Sequence, residues 1–510
     1  MPPARWFSPI LLVVLASLYS PLVAGASVTG ELIRLRDFWW PLGLMLAIGI
    51  GTYACWRAFG ADAEKAALGA VTVVLTYSWF GWAVTVSDGF DPLRLALSLV
   101  GIGCLLTGLF ATPRRFSLLV AILFRMAVVL VLWNAVAIAW ALGHAGRVPP
   151  PRVPANIAAP EDPGGERPDI YVILLDKYTG SAVLRAQYGF DNAPFEAALR
   201  QRGFVVPAHA RPNYTHTFLT LASMLNVRYL DDLTGRHGAS GDWGTVYPLI
   251  ENNRVMAFLH DRGYRLVTFP TEFGATRRNR YADLQLPAPR DVRPELQAVW
   301  SHQTAGPVLL TLWSRLTGGV MEVPPYLPSQ PALMDWRFHA LASLPDTSGH
   351  PLFVFAHLLT PHEPYVYDAR CHHRPSFWPL TDAAGDVVAR AYVAQIQCVN
   401  QKVVAAVDTI LARSRTPPII LLQADHGHGR LGRLLPSLDQ ASPAAREDRT
   451  SVFAAYLLSR IPPDSVPADI SPVNVMRLVL RRYFGADLPP LPEATYWSDS
   501  RHPYIFTRVH

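Results

Sequence analysis

Five apolar stretches follow one another within the first 143 residues of this 510-residue chain, and they restrict its folding more than any other feature. A hydrocarbon core of about 30 Å is crossed by roughly 20 apolar residues in a helix. The stretches run approximately Pro9 to Ala26, Phe38 to Trp56, Ala66 to Val86, Leu93 to Ala111 and Phe116 to Leu142, and each passes that test. Three carry tryptophan near an end (Trp39 and Trp40, Trp56, Trp140), where an amphipathic ring favours the membrane interface. A buried core helix is the bland alternative for any one stretch, but a soluble fold has no use for five in succession. The pattern predicts a transmembrane domain of five helices over residues 1–146.

The first stretch also fits a cleaved signal peptide, because Arg5 precedes it and small residues end it at Ala24 to Ala26. Its length favours a span. Arg5, the Arg57 to Lys65 loop and the Arg114–Arg115 pair fall on one side, against Arg34, Arg36 and Arg94 on the other. This modest bias predicts a cytoplasmic N-terminus. Five spans then place everything after Gly143 outside, which predicts a multi-pass protein of a bacterial inner membrane with a periplasmic or extracellular domain.

A net charge of +6 on so long a chain, with no dense basic run, argues against a nucleic-acid partner. Of the four cysteines, Cys55 and Cys104 lie in the spans. Cys371 and Cys398 remain for the outer domain, as a disulfide or as two free thiols. The run VPPPRVPANIAAPEDPGGERP, Val148 to Pro168, has too little apolar content to pack and too much proline for a helix, so it reads as a stiff linker over 147–168.

Beyond it, over 169–510, apolar runs of strand length recur at Ile170 to Leu175, Leu266 to Phe269, Phe353 to Leu359 and Ile419 to Gln423. Helical patterns lie between them at Ala193 to Gly203, Phe218 to Leu225, Arg254 to Gly263 and Ala391 to Ala412. Strands buried on both faces and alternating with helices predict an α/β domain with a largely parallel central sheet. Ligands of such sheets bind beyond the carboxyl ends of the strands. Three of the runs end in polar clusters: Asp176, the segment His357 to His362, and Asp425–His426–Gly427. A lone Asp there is often a cap or turn residue. An Asp–His pair at a second strand end supplies the carboxylate and imidazole of a divalent-metal site.

Nucleophile candidates lie in NYTHTFLTLASML, Asn213 to Leu225, where a polar turn enters a helix. A hydroxyl at a helix N-terminus suits both an alkoxide and an incoming phosphate, and a metal can hold it deprotonated. The competing reading is that Thr215 or Thr217 merely caps the helix. His428, His357 and His209 are candidates for a second metal site, with a structural role the simpler reading for each. Arg277, Arg278 and Arg280 form either an anion-binding group or a solvated cluster.

Taken in order, Asp176, the threonine-led helix, Pro361-His362-x-Pro364-Tyr365 and Asp425-His426-Gly427, closed by DRTSVFAAYLL and ISPVNVMRLVLRRYFG, resemble the alkaline phosphatase superfamily. Within it, the resemblance is to the membrane-bound sulfatase-like branch that includes lipoteichoic acid synthases and phosphoethanolamine transferases. It covers roughly Asp169 to Gly485. The resemblance implies that Asp176, Asp425 and His426 ligate a divalent metal (Mn, Mg or Zn) together with a threonine oxygen, and that His362 contacts the phosphoryl or leaving group. It selects Thr215 as nucleophile, with Thr217 close behind. The substrate it implies is a membrane lipid or an envelope glycan. The Cys-x-Pro-Ser-Arg signature of sulfatases is absent, which weighs against the alternative of a sulfate-ester hydrolase. A catalytically inactive envelope scaffold, the other alternative, would hold no divalent metal. A transporter has little support, since the spans hold almost no ionisable residue beyond Arg125.

Overall fold

The computed structural model describes residues 8–27, 35–86, 113–145, 155–161, 167–238, 240–271, 273–286, 300, 304–306, 309, 330–344, 349–363, 365–377, 385–429 and 435–510. The chain divides into two units, Met1–Pro150 with Arg293–Glu322, and Pro151–Val292 with Val323–His510. Helices of eight residues or more are numbered here in chain order.

In the first unit, α1 (Pro9–Ser27), α2 (Trp39–Ala58), α3 (Ala63–Val86) and α4 (Pro113–Ala145) are helices that coincide in extent with four of the five apolar stretches. The fifth, Leu93 to Ala111, lies outside the described residues. Pro9–Ala26 of α1 and Val120–Trp140 of α4 are long and apolar enough to cross a membrane by length and composition. Helices α1 to α3 share a core of Leu12, Val13, Met45, Val71 and Val74. Gly49 permits the close approach of α2, since a Cβ there would stand 2.4 Å from Ser17 Oγ. In contrast, α4 leaves Leu118, Ile122, Met126, Val129, Trp133, Val136 and Trp140 exposed, at the i+3 and i+4 spacing of one helical face.

The second unit is built on a six-stranded sheet: β1 (Ile170–Leu175), β2 (Arg265–Thr268), β3 (Leu284–Gln285), β4 (Leu352–Leu358), β7 (Ile419–Ala424) and β8 (Ala454–Leu457). Their order is β3-β2-β4-β1-β7-β8. All neighbours are parallel except β7 and β8. This is the α/β domain with a largely parallel sheet that the apolar runs predict. Every residue of β1, β4 and β7 is buried, so helices cover both faces, and each fully buried Val, Leu or Ile contributes about 1.5–3 kcal/mol. The antiparallel edge strand β8 is sheltered by an isolated bridge to Val205.

Around the sheet lie α5 (Ser181–Tyr188), α6 (Ala193–Gln201), α7 (Thr217–Asn226), α8 (Arg254–Asp261), α9 (Gln330–Ala342), α10 (Gly385–Arg413), α11 (Pro443–Thr450) and α12 (Pro472–Phe484). A two-stranded hairpin, β5 (Tyr365–Tyr367) with β6 (His373–Phe377), follows β4. The described part of the proline-rich stretch is laid against this unit rather than spanning free. Arg254 donates to the carbonyls of Ala155 and Asn156, Arg262 to that of Pro160, and Asp487 N–H to that of Ala158. Prolines leave carbonyl acceptors without matching N–H groups, and two guanidinium forks supply them.

Cys371 and Cys398 form a disulfide across 27 residues, joining the hairpin to α10. In the loop-entropy picture a closure of 27 residues is worth about 3.5 kcal/mol. The double variant C371S/C398S is therefore expected to be less stable than the oxidised wild type by that amount in urea melts, and to match the wild type measured in reductant.

Candidate metal centre and active site

The parallel register brings the candidate ligands together. Leu175 of β1 pairs with Leu358 of β4 on one side and Ala424 of β7 on the other, so Asp176 and Asp425, each one residue further on, stand at the same sheet edge. His357, paired with Leu174, is the penultimate residue of β4. Ligand atoms of Asp176, His357 and Asp425 all lie within 4.8 Å of one another. Asp176 Oδ1, Asp425 Oδ2 and His357 Nε2 are buried and make no hydrogen bond, although His357 Nε2 faces Asp176 Oδ2 across 3.5 Å and Asp425 Oδ2 faces His426 Nε2 across 3.3 Å.

Three unpaired buried polar atoms converging on one point would cost about 1–3 kcal/mol each, and two carboxylates with an imidazole are a divalent-cation donor set. The residues present fit the metal. The electrostatics agree, since burial, reinforced by the Asp176 charge, pushes Asp425 up to about 6. Burial acts the same way on Asp176, but His362 and His357 outweigh it and hold that carboxyl below its ordinary value. Two carboxylates so close together cannot both ionise easily, and their pKa values are driven apart.

His426 completes the cluster. Its Nδ1 lies 3.0 Å from the Gly427 carbonyl, which can only accept, so the proton sits on Nδ1 and Nε2 presents a lone pair. Burial, followed by the Arg449 charge, keeps His426 neutral by lowering its pKa well below the usual range. Nε2 is 3.3 Å from Asp425 Oδ2 and 3.1 Å from Thr217 Oγ1, whose hydroxyl is its donor. Thr217 is the first residue of α7, with His216 as the extended N-cap.

The two candidate threonines part company here. Thr215 Oγ1 receives the Ser498 N–H at 3.3 Å and reaches the Ser498 carbonyl at 3.5 Å, and Thr215 N–H donates to the Tyr496 carbonyl. Thr215 is thus fastened to the C-terminal segment, while Thr217 is the one at His426.

His362 is partly open, with 29% of its side chain exposed. Its N–H donates to the Asp176 carbonyl at 3.0 Å. Gln395 of α10, which the sequence reading did not single out, holds this turn by donating to the Pro361 and His362 carbonyls at 3.1 and 2.9 Å. Pro364 of the same motif is outside the described residues. Beside His362, Lys177 Nζ pairs with Glu363 Oε1 at 2.7 Å, and the Lys177 N–H donates to Asp425 Oδ1. Burial opposes ionisation of Glu363, but His362 and Lys177 prevail and hold it well below the usual carboxylate range.

Of the three histidines considered for a second site, His357 lies in the first cluster, oriented by Thr276 Oγ1 at 3.0 Å from its Nδ1. His428 is engaged by Tyr365 at 2.9 Å and Tyr188 at 3.1 Å. His209 is exposed. In the arginine cluster, Arg278 lies 3.8 Å from Glu251 and Arg280 N–H donates to the Glu251 carbonyl.

No protein-family model and no curated protein matches this chain. Among solved structures it is similar to the integral membrane protein lipooligosaccharide phosphoethanolamine transferase A from Neisseria meningitidis, at 13% identity and a TM-score of 0.42, over 94% of this chain and 96% of that one. It is also similar to the C-terminal periplasmic domain of EcEptC from Escherichia coli in complex with Zn, at 12% identity and TM-score 0.39, over 67% of this chain and 87% of that one. A third is the corresponding domain of the phosphoethanolamine transferase EptC from Campylobacter jejuni, at 13% identity and TM-score 0.38, over 63% and 91%. Two of these three are phosphoethanolamine transferases by name.

Proposed function

We propose that this chain is a membrane-anchored, metal-dependent enzyme that transfers or hydrolyses a phosphate ester of a membrane lipid or envelope glycan, with Thr217 as nucleophile. The observation that carries the reading is the Thr217 hydroxyl 3.1 Å from His426, beside unpartnered ligand atoms of Asp176, His357 and Asp425. In this reading those four residues and Thr217 Oγ1 would hold a divalent cation, which would supply Lewis-acid chemistry there, and the Thr217 hydroxyl proton would pass to solvent as the cation binds.

The chain's own groups do the rest. Thr217 at the start of α7 sets its Oγ where the helix N-terminus favours an incoming anion. A bond forms between this oxygen and phosphorus, and the bond from phosphorus to the leaving oxygen breaks. His362, partly open to solvent at the rim, hands a proton to that oxygen. Water or an acceptor hydroxyl then attacks the phospho-threonine, gives its proton back to His362, and frees Thr217.

The apolar face of α4, from Leu118 to Trp140, supports anchoring in lipid, and the Lys/Arg bias of the short loops favours a second unit outside the cytoplasm. Away from cytoplasmic ATP, a lipid or another envelope ester is the donor that fits. The purified full-length protein is expected to turn over bis(p-nitrophenyl) phosphate. A chelator should remove that activity and added Mn²⁺ or Zn²⁺ should restore it. Activity that survives exhaustive chelation would sink the metal-dependent reading.

A further inference from the structure

Arg449, in the last turn of α11, is buried, and its guanidinium spends its donors on two backbone carbonyls. Nε and Nη2 reach the Thr215 carbonyl at 2.9 and 2.5 Å, and Nη1 reaches the Gly427 carbonyl at 3.3 Å. The first carbonyl belongs to the turn that delivers Thr217. The second is the acceptor that fixes the tautomer of His426.

The backbone is arranged to let one side chain span both. Gly427 N–H donates to the Arg449 carbonyl at 2.9 Å. A Cβ on Gly427 would stand 1.8 Å from the Asp448 carbonyl oxygen, so only glycine allows α11 to close on the ligand loop. His216, the N-cap of α7, makes no side-chain bond to the helix it precedes, because its Nε2 lies on the Ser498 carbonyl instead. The start of α7 is therefore held from outside, and Arg449 ties it to the His426 loop alongside the Thr217–His426 contact.

We propose that Arg449 is a positioning residue for the Thr217–His426 pair, a role that rests on the reading of Thr217 given above. A planar fork with donors along one edge and at its tip is needed to bond two carbonyls in different directions. A lysine ammonium keeps the charge but offers no such fixed fork. R449K preserves length and charge, so it keeps the fold while loosening the clamp.

Two measurements on the full-length chain in nanodiscs test this. In turnover of bis(p-nitrophenyl) phosphate, R449K is expected to lower kcat about 10- to 100-fold, the usual cost of losing an outer-shell partner, with KM within twofold of wild type. In metal-free protein, the ¹⁵N shift of His426 Nε2 reports its bond from Thr217, and T217V supplies the unbonded reference. R449K should move the shift to that reference. A kcat within twofold of wild type, a loss confined to KM, or a His426 shift that stays at the wild-type value would overturn the proposal. Wild-type protein with no turnover would remove the phosphoryl-transfer reading, and the shift would still decide the role of Arg449.

Discussion

Thr217→Val is expected to abolish turnover, with kcat lower by roughly 10⁴-fold or more, the scale of loss when a nucleophile is removed. Valine keeps the shape of threonine, so α7 and its packing stay, and the fold should lose no more than about 1 kcal/mol for the hydrogen bond to His426. Thr215→Val gives the opposite profile. Its hydroxyl makes two long contacts to the Ser498 backbone, worth about 1 kcal/mol of stability, and its effect on kcat should not exceed about tenfold. Steady-state rates and urea melts of the two variants separate nucleophile from scaffold. Equal loss of activity in both, or greater loss in T215V, would move the nucleophile off Thr217.

Asp425→Asn is expected to abolish metal binding and yet make the metal-free protein more stable at pH 7. Burial, followed by the charge of Asp176, raises the Asp425 carboxyl from 3.8 to about 6. That displacement corresponds to about 3 kcal/mol acting against the folded, metal-free state. The folded protein binds this proton more tightly than the unfolded chain. The penalty is therefore absent below pH about 3.8, grows between 3.8 and 6, and is complete above 6. Relative to D425N, metal-free wild type should thus gain stability as the pH falls from 7 to 5; the buried neutral His216, His426 and His428 destabilise both proteins as the pH falls through 6.5 and cancel in this comparison. Asp176 acts in the other sense, but its carboxyl is held below 3.8, so its contribution is lost only at lower pH. Saturating metal reverses the ranking at pH 7, because only the wild type binds it and is stabilised. Thermal melts with chelator and with Mn²⁺ at pH 5 and 7 check all four cases. A metal-free D425N that melts below wild type at pH 7 would show that the buried Asp176–Asp425 pair is not a cation's ligand set.

Much of this architecture was legible because the decisive strands are buried on both faces. The runs at Ile170, Phe353 and Ile419 read as continuous apolar segments, and the strands begin or end within one residue of them. Carboxylates closing two such strands pointed to the sheet edge where Asp176 and Asp425 now meet. The place of His357 was harder to read. Within AHLLTPHEPY, the residue that faces the cluster depends on the pairing with Leu174 and on Thr276, which anchors the ring from a distant loop.

The order of preference between the threonines depended on contacts that no local pattern carries. Thr215 is turned away by Ser498, 283 residues further along the chain. Arg449 and Gln395 were equally silent, because a buried Arg or Gln bonded to carbonyls leaves no periodicity in the sequence. The Cys371–Cys398 pair was open between disulfide and thiols until α10 was seen to lie against the hairpin.

Rapid acid quench of full-length wild-type protein in the first turnover, followed by peptide mass spectrometry, gives the most direct view of the chemistry. The peptide holding Asn213 to Leu225 should carry a phosphoryl adduct on Thr217, and T217V should carry none. An adduct on Thr215 or His362, or full turnover with no adduct on this peptide, would contradict a Thr217-centred phosphoryl transfer.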